Sequence, residues 1–112
     1  MNTILTLDIA HPPMASGDAE RELARALSKV ELSASLQILK IVHGYGSAGK
    51  GGILKTVEKN WAYQMRSRFE DVFDGASLDP FVKPVQRMCS ACGISYSDIG
   101  GGGEGVTVIW VK

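Results

Sequence analysis

The sequence predicts an α/β domain in which segments ordered β-α-β-α-β-(α)-β form a mixed sheet packed by helices, an α+β sandwich. Three observations lead there. Segments with strand-like patterning alternate with segments whose apolar residues recur every three or four positions. Glycine and proline clusters fall between these segments. A chain of 112 residues, 45 % hydrophobic and 21 % charged, supports one core and is far from the profile of a disordered polymer. We therefore read residues 1–112 as a single domain.

Thr3 to Ile9 alternates, with Leu5, Leu7 and Ile9 on one face, and Pro12 and Pro13 stop this first strand. A helix over 17–33 follows, with Ser16 or Asp18 as its cap and Leu23, Leu27, Val30 and Ala34 as its buried stripe. Leu36 to Val42 is a nearly continuous apolar run and reads as the second strand. The stretch Gly44 to Gly52 holds five glycines, after which Ile53, Val57, Trp61 and Met65 mark a helix over 52–66. Phe69 to Phe73 is a short strand ending at Gly75, and Asp79 or Pro80 opens a helix with Phe81, Val85, Met88 and Cys92 on its apolar side. Gly100 to Gly105 reads as a flexible connector into Val106 to Val111, whose lack of alternation marks an interior strand covered on both faces.

Net charge is zero, so no global field points to nucleic acid or membranes. The distribution is uneven: from Lys40 to Arg68 six basic residues stand against Glu58 alone, a local +5 that the rest of the chain cancels. No apolar run approaches the roughly 20 residues of a membrane span. The first ten residues lack a basic start and contain Asp8, unlike a secretory leader, which points to a cytoplasmic protein. Cys89 and Cys92 form a lone C-x-x-C beside a helical stripe, without the second tight pair of a structural zinc site, so helix packing is their expected role.

The distinctive chemistry lies in His43-Gly-Tyr-Gly-Ser-Ala-Gly-Lys-Gly-Gly52, a loop between a strand and a helix whose backbone amides suit phosphate. Gly44-x-Gly46-x-x-Gly49 matches a dinucleotide fingerprint, but Glu70 and Asp71 lie at the start of the next strand, not at its end. Gly44-x4-Gly49-Lys50 approaches a P-loop, but Gly51 stands where a hydroxyl must hold magnesium. The third reading is a grip on a nucleic-acid backbone: Lys50 precedes the helix, and Lys55, Lys59 and Arg66 share a face opposite the apolar stripe. A solvated polar face beside a glycine turn is its plain counterpart.

Leu7-Asp8 in the first strand, Ile41-Val42-His43-Gly44-Tyr45-Gly46 after the second, Leu54-Lys55 on the next helix and the terminal Gly105-Val106-Thr107-Val108-Ile109 together resemble the Smr family, the small MutS-related domain found at the C-terminus of MutS2. The resemblance runs over nearly the whole chain, and its most specific element is H-G-x-G followed by a basic helix. It implies a fold like the C-terminal domain of translation initiation factor three and binding of DNA or RNA. It also implies structure-selective nicking in DNA repair or recombination, in some members, with Mg²⁺ or Mn²⁺ as the cofactor to test. Carried over by residue, His43, Gly44 and Gly46 take the H-G-x-G role, Lys55 stands where many members have arginine, and Asp8 matches the acid of the family's L-D-x-H-G motif. In that motif Ala10 replaces the histidine and Pro12 the glycine; His11 comes one residue late and serves only if the strand bulges or has ended by Ala10.

The expected catalytic set is thus Asp8, His43 and His11; the expected nucleic-acid contacts are Gly44, Tyr45, Gly46, Gly49, Lys50, Lys55 and Lys59. His43, at the root of the loop, is expected to be partly exposed and to matter more for function than for stability. Tyr45 is a candidate for base stacking, whereas the spacing of Trp61 places it in the core. The partner expected is nucleic acid, DNA ahead of RNA, bound by a monomer, with no membrane. A non-catalytic binding module with a phosphate-gripping glycine loop is the alternative function.

Overall fold

The protein, described here by a computed structural model, is defined over residues 2–44 and 50–112, apart from the side chain of Lys50. In chain order its elements are β1 (Ile4–Asp8), α1 (Ser16–Leu32), β2 (Ile38–Val42), α2 (Lys50–Gln64), β3 (Phe69–Asp74), α3 (Lys83–Cys92) and β4 (Val106–Val111). Short 3₁₀ turns occupy Arg66–Arg68, Gly75–Ser77 and Tyr96–Ile99. The sheet order is β1-β2-β4-β3; β1 and β2 are parallel, while β4 is antiparallel to both its neighbours. This is the mixed sheet that the alternation of elements predicts. The parallel pair needs a crossover, which α1 supplies.

Strand alternation divides the apolar residues between two cores. Leu5, Leu7, Leu39, Ile41, Ile109 and Val111 face α1 and α2, where they meet Leu23, Leu27, Val30, Leu54 and Trp61. Ile38 and Val108 face the other way, against Met88, Cys92 and Ile99. β4 is therefore interior and covered on both faces, as its unalternated sequence indicates.

Local details differ from the expectations in four places. Residue Ala15, not Ser16 or Asp18, caps α1 without a side-chain bond, and Ala34 lies beyond the helix, exposed. On α2 the buried stripe is Leu54, Glu58, Trp61 and Ala62, while Ile53 is 56 % exposed. Helix α3 starts at Lys83, leaving Phe81 and Val82 outside it, because Pro84 is tolerated only in a first turn. Finally, the glycines after Gly100 are a packed element: Gly103 N–H donates to Gly75 O at 3.0 Å, and a side chain on Gly102 would collide with Gly75 O.

Candidate nucleic-acid interface

Every described residue of the expected site except Lys55 and Lys59 lies at one end of the sheet. Asp8 pairs with Val42, Val42 with Val106, and Thr107 with Asp74 across the remaining strand. With strands about 4.8 Å apart, the row from Asp8 to Asp74 spans ~14 Å.

At the β1 end the strand stops at Asp8, and Ala10 bridges to Pro13, so the condition for His11 to serve is met. Asp8 Oδ1 accepts the backbone N–H groups of Ala10 at 2.8 Å and His11 at 3.1 Å. His11 Nδ1 donates to Asp8 Oδ2 at 2.9 Å. A carboxylate only accepts, so in the neutral ring the proton sits on Nδ1 and Nε2 carries the free lone pair. The pair is open to solvent, with side-chain exposures of 71 % for His11 and 41 % for Asp8.

His43 follows β2 and is fully buried, which overturns the expectation of partial exposure. Its register carries it onto the same face as Leu39 and Ile41, under α2, whereas Asp8 alternates to the other face. Asp8 and His43 therefore flank the same strand ends without meeting. His43 Nδ1 lies 2.8 Å from Gly44 O and Nε2 lies 3.0 Å from Thr107 Oγ1. Since the carbonyl only accepts, Nδ1–H donates to it, and Nε2 accepts the Thr107 hydroxyl proton. Burial lowers the pKa of the ring, the bond to Gly44 opposes this, and the nearby Lys59 and Lys55 charges add to the lowering, so the buried ring favours its neutral form. The backbone N–H groups of His43 and Gly44 both donate to Gly105 O, at 2.8 and 3.1 Å. Gly44 has φ +73°, a conformation that favours glycine, so it turns the chain out of the sheet into the loop. Tyr45, Gly46, Gly49 and the Lys50 side chain lie outside the described residues.

Along α2, Lys59 Nζ is 3.5 Å from Asp74 Oδ2, and Lys55 lies near enough to act on the charges of both His43 and Asp74. Burial alone would raise the Asp74 carboxyl, but the Ala76 N–H and both lysines hold it below its ordinary range. The basic face thus starts beside the loop root and continues to Arg66, which lies 3.9 Å over the exposed ring of Tyr63. Trp61 is buried, its ring 5.9 Å from that of Phe69, in the core role its spacing indicates.

Three residues of this region were missed by the sequence reading. Glu58 is fully buried under α2, and neither carboxylate oxygen has a hydrogen-bond partner among the described residues. Burial pushes its pKa up to about 7, against the opposing effects of Thr107 and Lys59. Thr107 lies near enough to lower that pKa, but its hydroxyl proton goes to His43 Nε2 at 3.0 Å and it forms no hydrogen bond to either Glu58 oxygen. Tyr63, 66 % exposed, is the third. The break in the apolar stripe at Glu58 was the available signal for the first, and the spacing Lys55, Lys59, Tyr63 for the last.

Over 99 % of its length this chain superposes on 99 % of the Smr domain of Thermus thermophilus MutS2, with a TM-score of 0.58 and 22 % sequence identity. The fold is the Smr fold. No protein-family model and no curated protein matches the chain. On this Smr fold the Asp8 and His43-Gly44 positions occupy the ends of neighbouring strands, and Lys55 and Lys59 flank them from α2. Among the described residues, no group of three or more His, Cys, Asp or Glu side chains converges to hold a metal ion. Among the described residues the groups bonded to Asp8 include no second carboxylate, so Mg²⁺ or Mn²⁺ there would draw its other ligands from water and substrate phosphate. Cys89 and Cys92 are free thiols on α3, and burial raises the pKa of both, which suits packing. No helix among the described residues is long and apolar enough to cross a membrane.

Proposed function

We propose that this chain is an Smr-type domain that binds nucleic acid as a monomer, DNA ahead of RNA, across the end of its sheet and along α2. The observation that carries this reading is the placement of Lys55 and Lys59 beside the root of a glycine loop, on a fold shared over 99 % of the chain with the Smr domain of MutS2. The two ammoniums suit a phosphodiester backbone, whose affinity falls with salt as counterions are released. Replacing both lysines by glutamine is expected to weaken binding to all sequences alike. Each lost phosphate contact flattens the log–log salt slope on duplex DNA by about 0.9, so the double variant loses between about 1 and 2. The lower figure applies if Asp74 already neutralises Lys59. An unchanged slope in a fluorescence titration places the contacts elsewhere.

The same reading assigns nicking to the Asp8–His11 pair. Asp8 holds the imidazole with Nδ1–H toward itself, leaving Nε2 to take a proton from water. That water oxygen bonds to phosphorus as the bond from phosphorus to the leaving sugar oxygen breaks, and a proton returns to the leaving oxygen. His11→Ala is expected to slow nicking of branched or duplex DNA on the order of 10²-fold, measured with Mg²⁺ or Mn²⁺ present. The lone carboxylate favours a second reading, a binding module without catalysis. A protein that binds with the expected salt slope and nicks none of these substrates is that module.

A further inference from the structure

Between α2 and the outer strand β3 runs a groove that the backbone-gripping reading does not use. Its volume is about 250 Å³; Lys59, Tyr63, Arg66 and Val72 line its sides, and the buried Glu58 and Thr107 form its floor. Two independent features point to a planar ligand with hydrogen-bond donors. Tyr63 and Val72 are large apolar groups left 66 % and 40 % exposed, and the Arg66 guanidinium carbon sits over the Tyr63 ring, 3.9 Å from its centre. Exposed aromatic and guanidinium planes are the surfaces on which unpaired bases stack. Beneath them Glu58 presents two buried carboxylate oxygens with no partner among the described residues, an arrangement that folding alone disfavours.

We propose that this groove takes one unpaired base of the bound strand, stacked against Tyr63 and Arg66, with Glu58 accepting N–H donors from its edge and guanine preferred. The inference rests on the proposed nucleic-acid binding and narrows its substrates to strands that carry an unstacked nucleotide. Guanine presents two adjacent donors, N1–H and the N2 amino group, which match the two oxygens of one carboxylate. Adenine and cytosine set a ring acceptor beside their single amino group, and thymine flanks its one donor with carbonyls, so each turns a lone pair toward Glu58. Glu58 is closed off from water, and Lys59, a long side chain in the groove lining, has among the described residues one ion-pair partner, Asp74 at 3.5 Å, from which it can swing aside. The loop root lies beside Lys55 and Lys59, so a strand held there by its phosphates runs past the groove.

The test is fluorescence anisotropy at pH 8 with labelled oligothymidylates carrying one central guanine, adenine, cytosine or thymine, beside a blunt duplex. The guanine strand is expected to bind about tenfold tighter than the other three. Tyr63→Ala, a substitution at an exposed position, should weaken all four single strands by about tenfold, the scale of one lost base stack, with a change under about twofold on the duplex. Glu58→Gln should erase the guanine preference while keeping the stacking contribution. Four equal affinities, or a Tyr63→Ala variant that binds single strands as before, overturn the groove even when duplex binding keeps its dependence on Lys55 and Lys59. Absence of binding to every probe overturns both this inference and the function it rests on.

Discussion

Replacing His43 with alanine is expected to cost about 4 kcal/mol of folding stability, more than any change at the exposed lysines. The ring is fully buried and makes two hydrogen bonds, to Gly44 O and to Thr107 Oγ1. Each such bond contributes on the order of 1 kcal/mol, and its loss leaves the buried Thr107 hydroxyl without its acceptor. The vacated space adds a cavity cost like that of other large-to-alanine changes in a core, about 2 kcal/mol or more. For a domain of this size the sum corresponds to a fall in Tm of roughly 10 to 20 °C, read by thermal unfolding at pH 7.5. The choice of pH matters. Burial holds the folded pKa of His43 below its ordinary value, so the unfolded chain takes up the proton first, and the stability that His43 supplies is lost as pH falls below about 6.5. A cost under about 1 kcal/mol at pH 7.5 would show that the ring neither fills its site nor holds the loop root.

The sheet and its helices were legible because each is written in an unbroken period. Leu5, Leu7 and Ile9 alternate, Leu23, Leu27 and Val30 follow the helical turn, and Val106 to Val111 is apolar but for Thr107 because it lies between β2 and β3 with helices on both sides. What was not legible came from residues that violate a period. An acid at position 58 hides the true inner stripe of α2, so Ile53 reads as part of the buried line with Val57 and Trp61, although the helix is turned to bury Leu54 and Glu58 beside Trp61 and leaves Ile53 exposed. The orientation of His43 depends on its register beyond the end of β2, which is set by Thr107 some 64 positions away. Conversely, the displaced His11 finds Asp8 because β1 ends one residue earlier than its apolar alternation suggests, which lets the chain fold back over the carboxylate. The period of α2 does not single out Tyr63, which borders, with Arg66 and Val72, a groove formed by two elements.

Glu58→Gln is expected to stabilise the protein at alkaline pH, an uncommon outcome for a substitution at a fully buried position. Burial raises the carboxyl pKa from 4.5 to about 7, so between these values the folded state holds a proton that the unfolded state has released. Folding stability must then fall as pH rises through this window, by roughly 3 kcal/mol once the carboxylate is ionised in both states. The groups that face Glu58 do not remove this cost: Lys59 on its own helix is paired with Asp74 from β3, Thr107 on β4 has given its proton to His43 at the end of β2, and His43 is neutral. Glutamine keeps the shape without the charge, so urea unfolding should show the variant more stable than the parent by about 2 to 3 kcal/mol at pH 8. At pH 5 the parent carboxyl is protonated when folded, and the two proteins should agree to within about 1 kcal/mol. The pH dependence of His43 is common to both and cancels in the difference. A difference that stays constant from pH 5 to pH 8 would mean that Glu58 does not titrate within the fold. A variant less stable at pH 8 would mean that the carboxylate is held by a partner there. The expected gain instead marks an acid that burdens folding, which is the pattern of a group retained for what it binds.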